Sequence, residues 1–273
     1  MSSLPPNAAA MDPLAALLRG FAVRFLTCQE WEVLPLVMAP HYQLNVGGFL
    51  IEGRDEQYRG AMVAQFEQFP GLCVTVHDVV LGEQAIAMRF TEHGASRRDD
   101  GRRAAWQGVS LFRIENGHLY RGWAEEDYIA RKRQLRSGVC DHIEAPHPSP
   151  WDSRMEGANP AAEQCARDWL KGTALLSSSC GAITAGGADP ELAGLIGDVT
   201  AEVDELFSAG DRVAFHVTCR GTYAGGFADV DASRVGSPIT VRAAGIVSVH
   251  AGEVRKARVV ADRLGLYRSL LRR

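Results

Sequence analysis

Residues 112–127 read FRIENGHLYRGWAEED, with alternating side-chain character on both sides of the pair Asn116-Gly117. A period of two is typical of β-strands, and Asn-Gly between two such runs is a strong signal for a tight hairpin turn. This stretch therefore predicts two antiparallel strands. Two further runs of the same period precede it, so we expect a four-stranded meander over residues 74–80, 85–93, 105–114 and 119–127.

The residues before the meander have helical spacing instead. Apolar side chains of residues 13–28 recur every three to four positions, Asp12 is placed to cap this helix, and Pro13 suits its first turn. Further elements are expected at 31–38 (a helix), 42–51 (a strand, a turn and a strand) and 54–69 (a helix). Helices followed by a meander indicate an α+β fold, with one curved antiparallel sheet wrapped around N-terminal helices.

The pattern returns in the second half of the chain. Residues 86–94, IAMRFTEHG, align with residues 213–221, VAFHVTCRG, and residues 112–127 align with residues 247–262, VSVHAGEVRKARVVAD. Self-similarity of this kind indicates a tandem repeat. The second copy has fewer residues before its meander, so its helical section should be shorter.

We therefore expect two tandem domains joined by a linker. The segment between the repeats contains four prolines without periodicity, which is typical of a linker. The predicted boundaries are a disordered lead over 1–11, a first domain over 12–140, a Pro-rich linker over 141–160 and a second domain over 161–273.

Composition and missing motifs restrict the function. The net charge of −4 argues against a nucleic-acid partner, because phosphate binding requires an excess of positive charge. No apolar run approaches the length of a membrane span, about 18 residues, and the six cysteines form no CxxC pair. No His, Cys, Asp and Glu set has metal-ligand spacing, and no nucleotide-binding glycine motif occurs. We expect a cytoplasmic protein with no metal, no cofactor and no membrane partner.

The first copy contains Trp106-Gln107-Gly108, LFRI at 111–114, Asn116-Gly117 and WAEED at 123–127. These motifs resemble those of the SnoaL-like polyketide cyclases, in the ketosteroid-isomerase-like (nuclear-transport-factor-2-like) superfamily. The resemblance implies a cone-shaped domain in each half and sheet-to-sheet packing of the halves as an intrachain pseudo-dimer, with homo-oligomers left open. Members include isomerases, cyclases, epoxide hydrolases, lyases and binding proteins, so the resemblance does not fix the reaction.

Asp127 is the candidate base of this site. It matches the acid with which SnoaL-like cyclases remove a proton next to a carbonyl. Period two places it on one strand face with Trp123, and a carboxylate beside an indole in an apolar cone has a raised pKa. The alternative is that Asp127 only caps the helix beginning at Tyr128, as Asp262 would in the second copy.

Glu92 and His93 end a strand and point to opposite faces, so at most one of them faces the pocket. His93 is the candidate acid or oxyanion partner, and Glu92 is a candidate substrate contact. Otherwise each is an edge residue at a turn. The second copy has Cys219 and Arg220 at these positions, so the second domain is expected to lack a working site.

Tyr42 and Asn45 are candidate donors that orient the substrate. Further candidate wall residues are Tyr58, Met62, Phe66, Trp106 and Trp123. The alternative for such aromatic side chains is an ordinary core. Epoxide hydrolases of the superfamily use a Tyr and an Asn two residues apart, whereas the spacing here is three, which disfavours that reaction.

These features favour a cofactor-independent acid–base enzyme that acts on a hydrophobic, aromatic or polycyclic, oxygenated small molecule. The step would be proton abstraction followed by isomerisation, cyclisation or elimination. The alternative is a non-catalytic module of the same fold that binds a small molecule or mediates assembly.

Overall fold

A computed structural model describes residues 11–172, 174–177 and 191–272 of the chain. The expected disordered lead falls almost entirely outside these residues. The strands are β1 (Met38–Val46), β2 (Phe49–Glu52), β3 (Cys73–Leu81), β4 (Ala85–Ala95), β5 (Arg103–Glu115), β6 (His118–Glu126), β7 (Ile196–Ala209), β8 (Arg212–Tyr223), β9 (Pro238–His250) and β10 (Glu253–Ala261). The α-helices are α1 (Pro13–Arg19), α2 (Leu34–Val37), α3 (Arg59–Gln68), α4 (Tyr128–Ser137), α5 (Pro160–Leu170), α6 (Ala174–Ser177), α7 (Leu192–Leu195) and α8 (Arg263–Leu271).

The first sheet contains the predicted meander. Its strand order is β2-β1-β6-β5-β4-β3, and only the β1–β6 pair is parallel among the pairs described. The expected helix over 31–38 ends at Val37, and β1 begins at Met38 rather than at residue 42. Pro40 is accommodated because the ladder to β6 is irregular between Met38 and Gln43, where its missing N–H costs no ladder bond.

The helices fill the concave face of this sheet. Asp12 caps α1 by accepting a hydrogen bond from the N–H of Leu14 at 2.8 Å, as its position predicted. The helix continues in π-helical form over Gly20–Thr27, and α3 likewise follows a π-helical turn at Gly53–Tyr58. Both pack their apolar side chains against β4, β5 and β6 in one buried cluster.

The second sheet, in the order β10-β9-β8-β7, repeats the register of the meander. Ile86 pairs with Phe112 across β4 and β5, and the aligned residues Val213 and Val247 pair across β8 and β9. The irregularity between β5 and β6 recurs at the aligned place between β9 and β10. The register therefore agrees with the predicted alignment of the two halves.

The two sheets pack face to face through their convex sides. One buried cluster contains side chains from both sheets, including the aligned pairs Ala87 and Ala214, and Leu111 and Ile246. Equivalent residues on both sides of one interface are the signature of two-fold packing, here within one chain. The small alanines allow the backbones to approach closely. This arrangement corresponds to the intrachain pseudo-dimer that the family resemblance implied.

The segment after α4 runs along β3 before it enters the second domain. The N–H of His147 donates to the carbonyl of Val76 at 2.9 Å, and that of Glu156 donates to the carbonyl of Leu81 at 3.0 Å. Arg89 forms a bidentate ion pair with Glu144 at 2.7 and 2.9 Å. The predicted linker is thus held against the first sheet, while the exact division of the chain into domains stays a prediction.

The helical section of the second domain is described only in part. It contains α5 and two four-residue helices, and residues 178–190 lie outside the described part. Within the described residues, none of the helices has the length and apolar character that crossing a membrane requires.

Candidate active site

A cavity of about 110 Å³ lies between the helices and the concave face of the first sheet. Most of its wall is apolar, with Phe21, Met62, Phe90 and Phe112 among the lining residues. The even-numbered residues of β4 and β6 near their ends point into it, so Glu92 and Glu126 enter the same apolar space from two strands. Burying two carboxyl groups in an apolar cavity costs free energy unless they form hydrogen bonds with each other or with a ligand.

Glu92 and Glu126 form a hydrogen-bonded dyad. Burial raises the pKa of Glu92 well above its usual value, and the neighbouring Glu126 raises it further. Burial also raises the pKa of Glu126, and the hydrogen bonds that Glu126 forms offset only part of this rise. The physical result is one proton shared by two carboxyl groups, with Glu92 as the protonated member that donates to Glu126.

The dyad is held by donors from three elements. Gln65 on α3 donates Nε2 to Glu92 at 2.7 Å, and the indole N–H of Trp106 on β5 donates to Glu126 at 2.7 Å. The hydroxyl of Tyr128 donates to Glu126 as well. Arg131 lies over the rings of Trp106 and Tyr128 at 5.0 and 4.3 Å, and its charge lowers the pKa of both carboxyls.

Two tyrosines form another part of the cavity wall. Tyr42 and Tyr58 line the cavity, are buried, and meet edge to face with ring centroids 5.3 Å apart. Burial raises the pKa of both hydroxyls, so both are neutral donors. The Tyr42 hydroxyl has no hydrogen-bond partner among the described residues. A buried donor of this kind is available to a ligand oxygen.

Asp127 lies outside this cavity, which corrects its predicted position. Its carboxylate accepts a hydrogen bond from the N–H of Ala130 at 3.3 Å and so caps α4. Its other oxygen pairs with Arg263 of the second domain. Period two was right that Asp127 shares a face with Trp123, but that face is the convex one, turned away from the helices.

Three other predicted site residues also lie outside the cavity, because their side chains point to the opposite face of the first sheet. His93 is on the convex face and contacts the hydroxyl of Thr75 at 3.0 Å, and burial lowers its pKa. Asn45 pairs with Trp123 in the ladder between β1 and β6, and neither lines the cavity. Trp123 stacks instead with Arg121, at 4.9 Å from ring centroid to guanidinium carbon.

The remaining predicted residues belong to the cavity or to its support. Tyr42, Tyr58, Met62 and Glu92 line it. Trp106 is fully buried behind it and reaches it through the bond to Glu126. Phe66 does not line the cavity and packs in the core against Phe25 and Trp31.

The sequence reasoning missed Glu126, Gln65, Tyr128 and Arg131. Glu126 belongs to the same alternating set as Gly122 and Ala124 rather than to that of Trp123, but alternation alone does not say which set faces the cavity. Gln65 follows Met62 by three residues on α3, so helical spacing places the two on one face. Tyr128 and Arg131 follow the strand in the first turn of α4, where their direction depends on how the helix docks.

The second domain lacks this arrangement. Its register places Cys219 at the position of Glu92, Ala261 at that of Glu126 and Val241 at that of Trp106. All three are buried in the core of the second domain. The carboxyl dyad and its indole donor therefore occur in the first domain and not at the aligned positions of the second.

Comparisons with solved structures match about half of this chain to nearly all of a smaller protein. TsrD from Streptomyces laurentii shares 21% identity over 48% of this chain and 98% of its own, with a TM-score of 0.41. A SnoaL-like polyketide cyclase from Agrobacterium tumefaciens shares 21% over 44% and 97%, with a TM-score of 0.38. An LEH-like epoxide hydrolase from M. tuberculosis shares 13% over 46% and 87%, with a TM-score of 0.40. Among curated proteins, no significant match is found.

The model of the SnoaL-like polyketide cyclases matches two segments of this chain, residues 16–135 and 191–270. The segments contain the two sheets described above, consistent with a tandem duplication of one domain. The chain therefore belongs to the SnoaL-like polyketide cyclase family.

Proposed function

We propose that the first domain is a cofactor-independent acid–base enzyme in which Glu92 and Glu126, rather than Asp127 and His93, carry the proton transfer. The observation that carries this proposal is the hydrogen-bonded carboxyl dyad in an apolar cavity. Raised pKa values in a cleft, caused by burial and a like-charged neighbour, are typical of catalytic groups.

The two carboxyl groups have different roles in this proposal. Glu126 accepts hydrogen bonds from Trp106 and Tyr128, which favour its ionised form, so it is the base that takes a proton from carbon next to a carbonyl. When substrate binds, the Glu92 proton turns from Glu126 to the carbonyl oxygen and donates to it as negative charge develops there. Tyr42 on β1 supplies a second neutral donor. Return of the proton from Glu126 to a different carbon completes an isomerisation. In a cyclisation, the enolate carbon attacks a second carbonyl and the alkoxide that forms takes the proton from Glu126.

The volume of the cavity limits the size of the substrate portion that can react there. A cavity of about 150 Å³ holds a benzene ring, so a volume of about 110 Å³ admits at most a single small ring, and only after the lining side chains adjust. A larger substrate would extend past Val46 and Tyr128, which line the cavity and also the neighbouring cleft. We therefore narrow the expected substrate to one whose reacting portion is a single oxygenated ring.

Two reactions test this proposal without knowledge of the natural substrate. One is deuterium exchange from D₂O into cyclic β-ketoesters, followed by mass spectrometry. The other is conversion of a β,γ-unsaturated cyclic ketone into its conjugated isomer, followed by ultraviolet absorbance. The wild-type chain should accelerate at least one of them, and Glu92→Gln and Glu126→Gln should each lose about a hundredfold or more of that rate.

His93→Gln is the matched control, because His93 adjoins Glu92 but lies on the opposite face of β4. It should keep the wild-type rate. No acceleration of any probe would favour the non-catalytic binding module, and equal losses in the control and the dyad variants would remove the dyad from the chemistry.

A further inference from the structure

A groove between the terminal helix and the central strands occurs once in each domain. In the first domain it lies between α4 and β5, and in the second between α8 and β9. Both helices begin one residue after a capping aspartate, Asp127 or Asp262. Counting from these caps, Arg133 on α4 and Arg268 on α8 hold the same helical position.

In the first domain the chain itself fills this groove. The carboxylate of Asp141, from the segment after α4, accepts bonds from Nη1 and Nη2 of Arg133 at 3.1 and 2.6 Å. The backbone N–H of Asp141 donates to Gln134 Oε1 at 2.9 Å. The Asp141 side chain is 4% exposed, and only about 20 Å³ of the groove remains. The groove of the first domain is thus a built carboxylate site with its own internal ligand.

In the second domain the described residues leave the corresponding groove open, with a volume of about 680 Å³. Part of its lining is equivalent to that of the first groove. Thr240, Arg242, Asp262 and Gly265 stand where the first groove has Ala105, Gln107, Asp127 and Ala130. The main chemical change is the gain of Arg242.

This cleft carries a large excess of positive charge. Its lining contains one acid, Asp262, and five arginines, which are Arg220, Arg234, Arg242, Arg268 and Arg272. Arg220 pairs with Glu202 at the surface, at 2.6 Å, and Arg234 donates to a backbone carbonyl at 2.7 Å. Arg242 and Arg268 act on the Asp262 carboxylate through charge, and no hydrogen bond joins either to it within the described residues. Among the described residues no hydrogen bond or ion pair occupies the guanidinium of Arg242 or of Arg268, although the charge of Arg242 also acts on Glu125 and Asp204. Both guanidinium groups are therefore available to an external acceptor.

We propose that this cleft binds an anionic small molecule whose carboxylate or phosphate group lies between Arg242 and Arg268, as the Asp141 carboxylate lies against Arg133. The planar fork of a guanidinium suits both groups, because each offers two oxygens at matching spacing. The volume is in the range of small-molecule sites, roughly 300–1,000 Å³. Val46 and Tyr128 line both this cleft and the cavity of the first domain, so the two sites adjoin, but anion binding here does not require the cavity to be catalytic.

Isothermal titration of the full chain with pyrophosphate and with citrate, at low ionic strength, tests the proposal. At least one anion should bind, and Arg268→Ala and Arg242→Ala should each weaken binding about tenfold or more. Asp262→Asn should strengthen it, because the competing negative charge is removed while asparagine still caps α8. The ratio of the two affinities distinguishes phosphate from carboxylate as the preferred group.

Arg167→Ala is the charge-matched control, since Arg167 is exposed on α5 and does not line the cleft. It should bind the anions as the wild type does. Binding of neither anion, or equal weakening by Arg167→Ala and by the two cleft variants, would overturn the proposal. Circular dichroism of each variant shows that a loss of binding is not a loss of fold.

Discussion

His216 of the second domain lies 3.0 Å from Glu125 of the first domain through Nε2, and 2.8 Å from Asp204 through Nδ1. Glu125 and His216 are both buried. One imidazole ring thus joins Glu125 of the first domain to Asp204 of the second, and Asp127 with Arg263 forms another ion pair between the domains.

The first prediction is that stability falls as pH rises through neutrality. Burial raises the pKa of Glu125 to about 7, and the bond to His216 only partly offsets this. Burial alone would lower the pKa of His216, but its bonds to Asp204 and Glu125 raise it above its usual value. Arg242 and Asp262 also act on Glu125, with opposite signs.

The raised pKa values of Glu125 and His216 change the stability with pH in the same direction. The folded state binds each proton more tightly than the unfolded state, so the stabilisation is complete below the unfolded pKa and is lost as pH rises through the folded one. The melting temperature should therefore fall between about pH 5 and about pH 8, and Glu125→Gln should flatten this dependence. An unchanged slope in Glu125→Gln would place its cause elsewhere.

The second prediction concerns Asp127→Asn, which should lower stability without changing the rate per folded molecule. Asparagine still caps α4, but Arg263 loses its contact with the Asp127 carboxylate, and breaking a buried ion pair at one partner typically costs about 3–5 kcal/mol. Chemical denaturation and the ketone assays together measure both effects. Asp262→Asn is the comparison, because Asp262 caps α8 without a hydrogen-bonded arginine among the described residues, and it should cost less. A catalytic loss in Asp127→Asn would restore Asp127 as the base.

The third prediction concerns the hydrogen bond from Trp106 to Glu126. This bond lowers the pKa of Glu126, so Trp106→Phe should raise it. The acidic limb of the pH–rate profile should then move upward by about one pH unit, since one unit corresponds to about 1.4 kcal/mol. Trp123→Phe, on the convex face of the sheet, should leave the limb in place. A shift in both variants would indicate a general loosening of the sheet.

The fourth prediction concerns Gly122, whose missing side chain makes room for Tyr42. A Cβ at this position would lie 2.3 Å from the Tyr42 hydroxyl and 3.1 Å from Leu44. Gly122→Ala should therefore destabilise the chain by about 1–3 kcal/mol, as overpacking does. Adding Tyr42→Phe should recover part of this loss, which a double-mutant cycle measures. Additive effects in the cycle would mean that the two groups do not meet.

The sequence alone was sufficient for the architecture. Asn116-Gly117 and the runs of period two predicted the meander, and the aligned repeats predicted its second copy, with which the observed register agrees. These features are local, because a strand alternates its side chains and a hairpin turn fixes the register of its neighbours wherever they are in the fold. The grouping of Trp123 with Asp127 on one strand face was correct for the same reason.

Only the tertiary structure decided which face of the first sheet contains the cavity. In a sheet with one solvated face, apolar residues mark the inner side, but here the helices bury one face and the second sheet buries the other. Both faces of β6 therefore carry acids among apolar side chains, Glu125 on one and Glu126 on the other. Alternation separates the residues of β6 into two sets but does not say which set faces the cavity. The choice between Asp127 and Glu126 therefore depended on contacts between residues far apart in the chain.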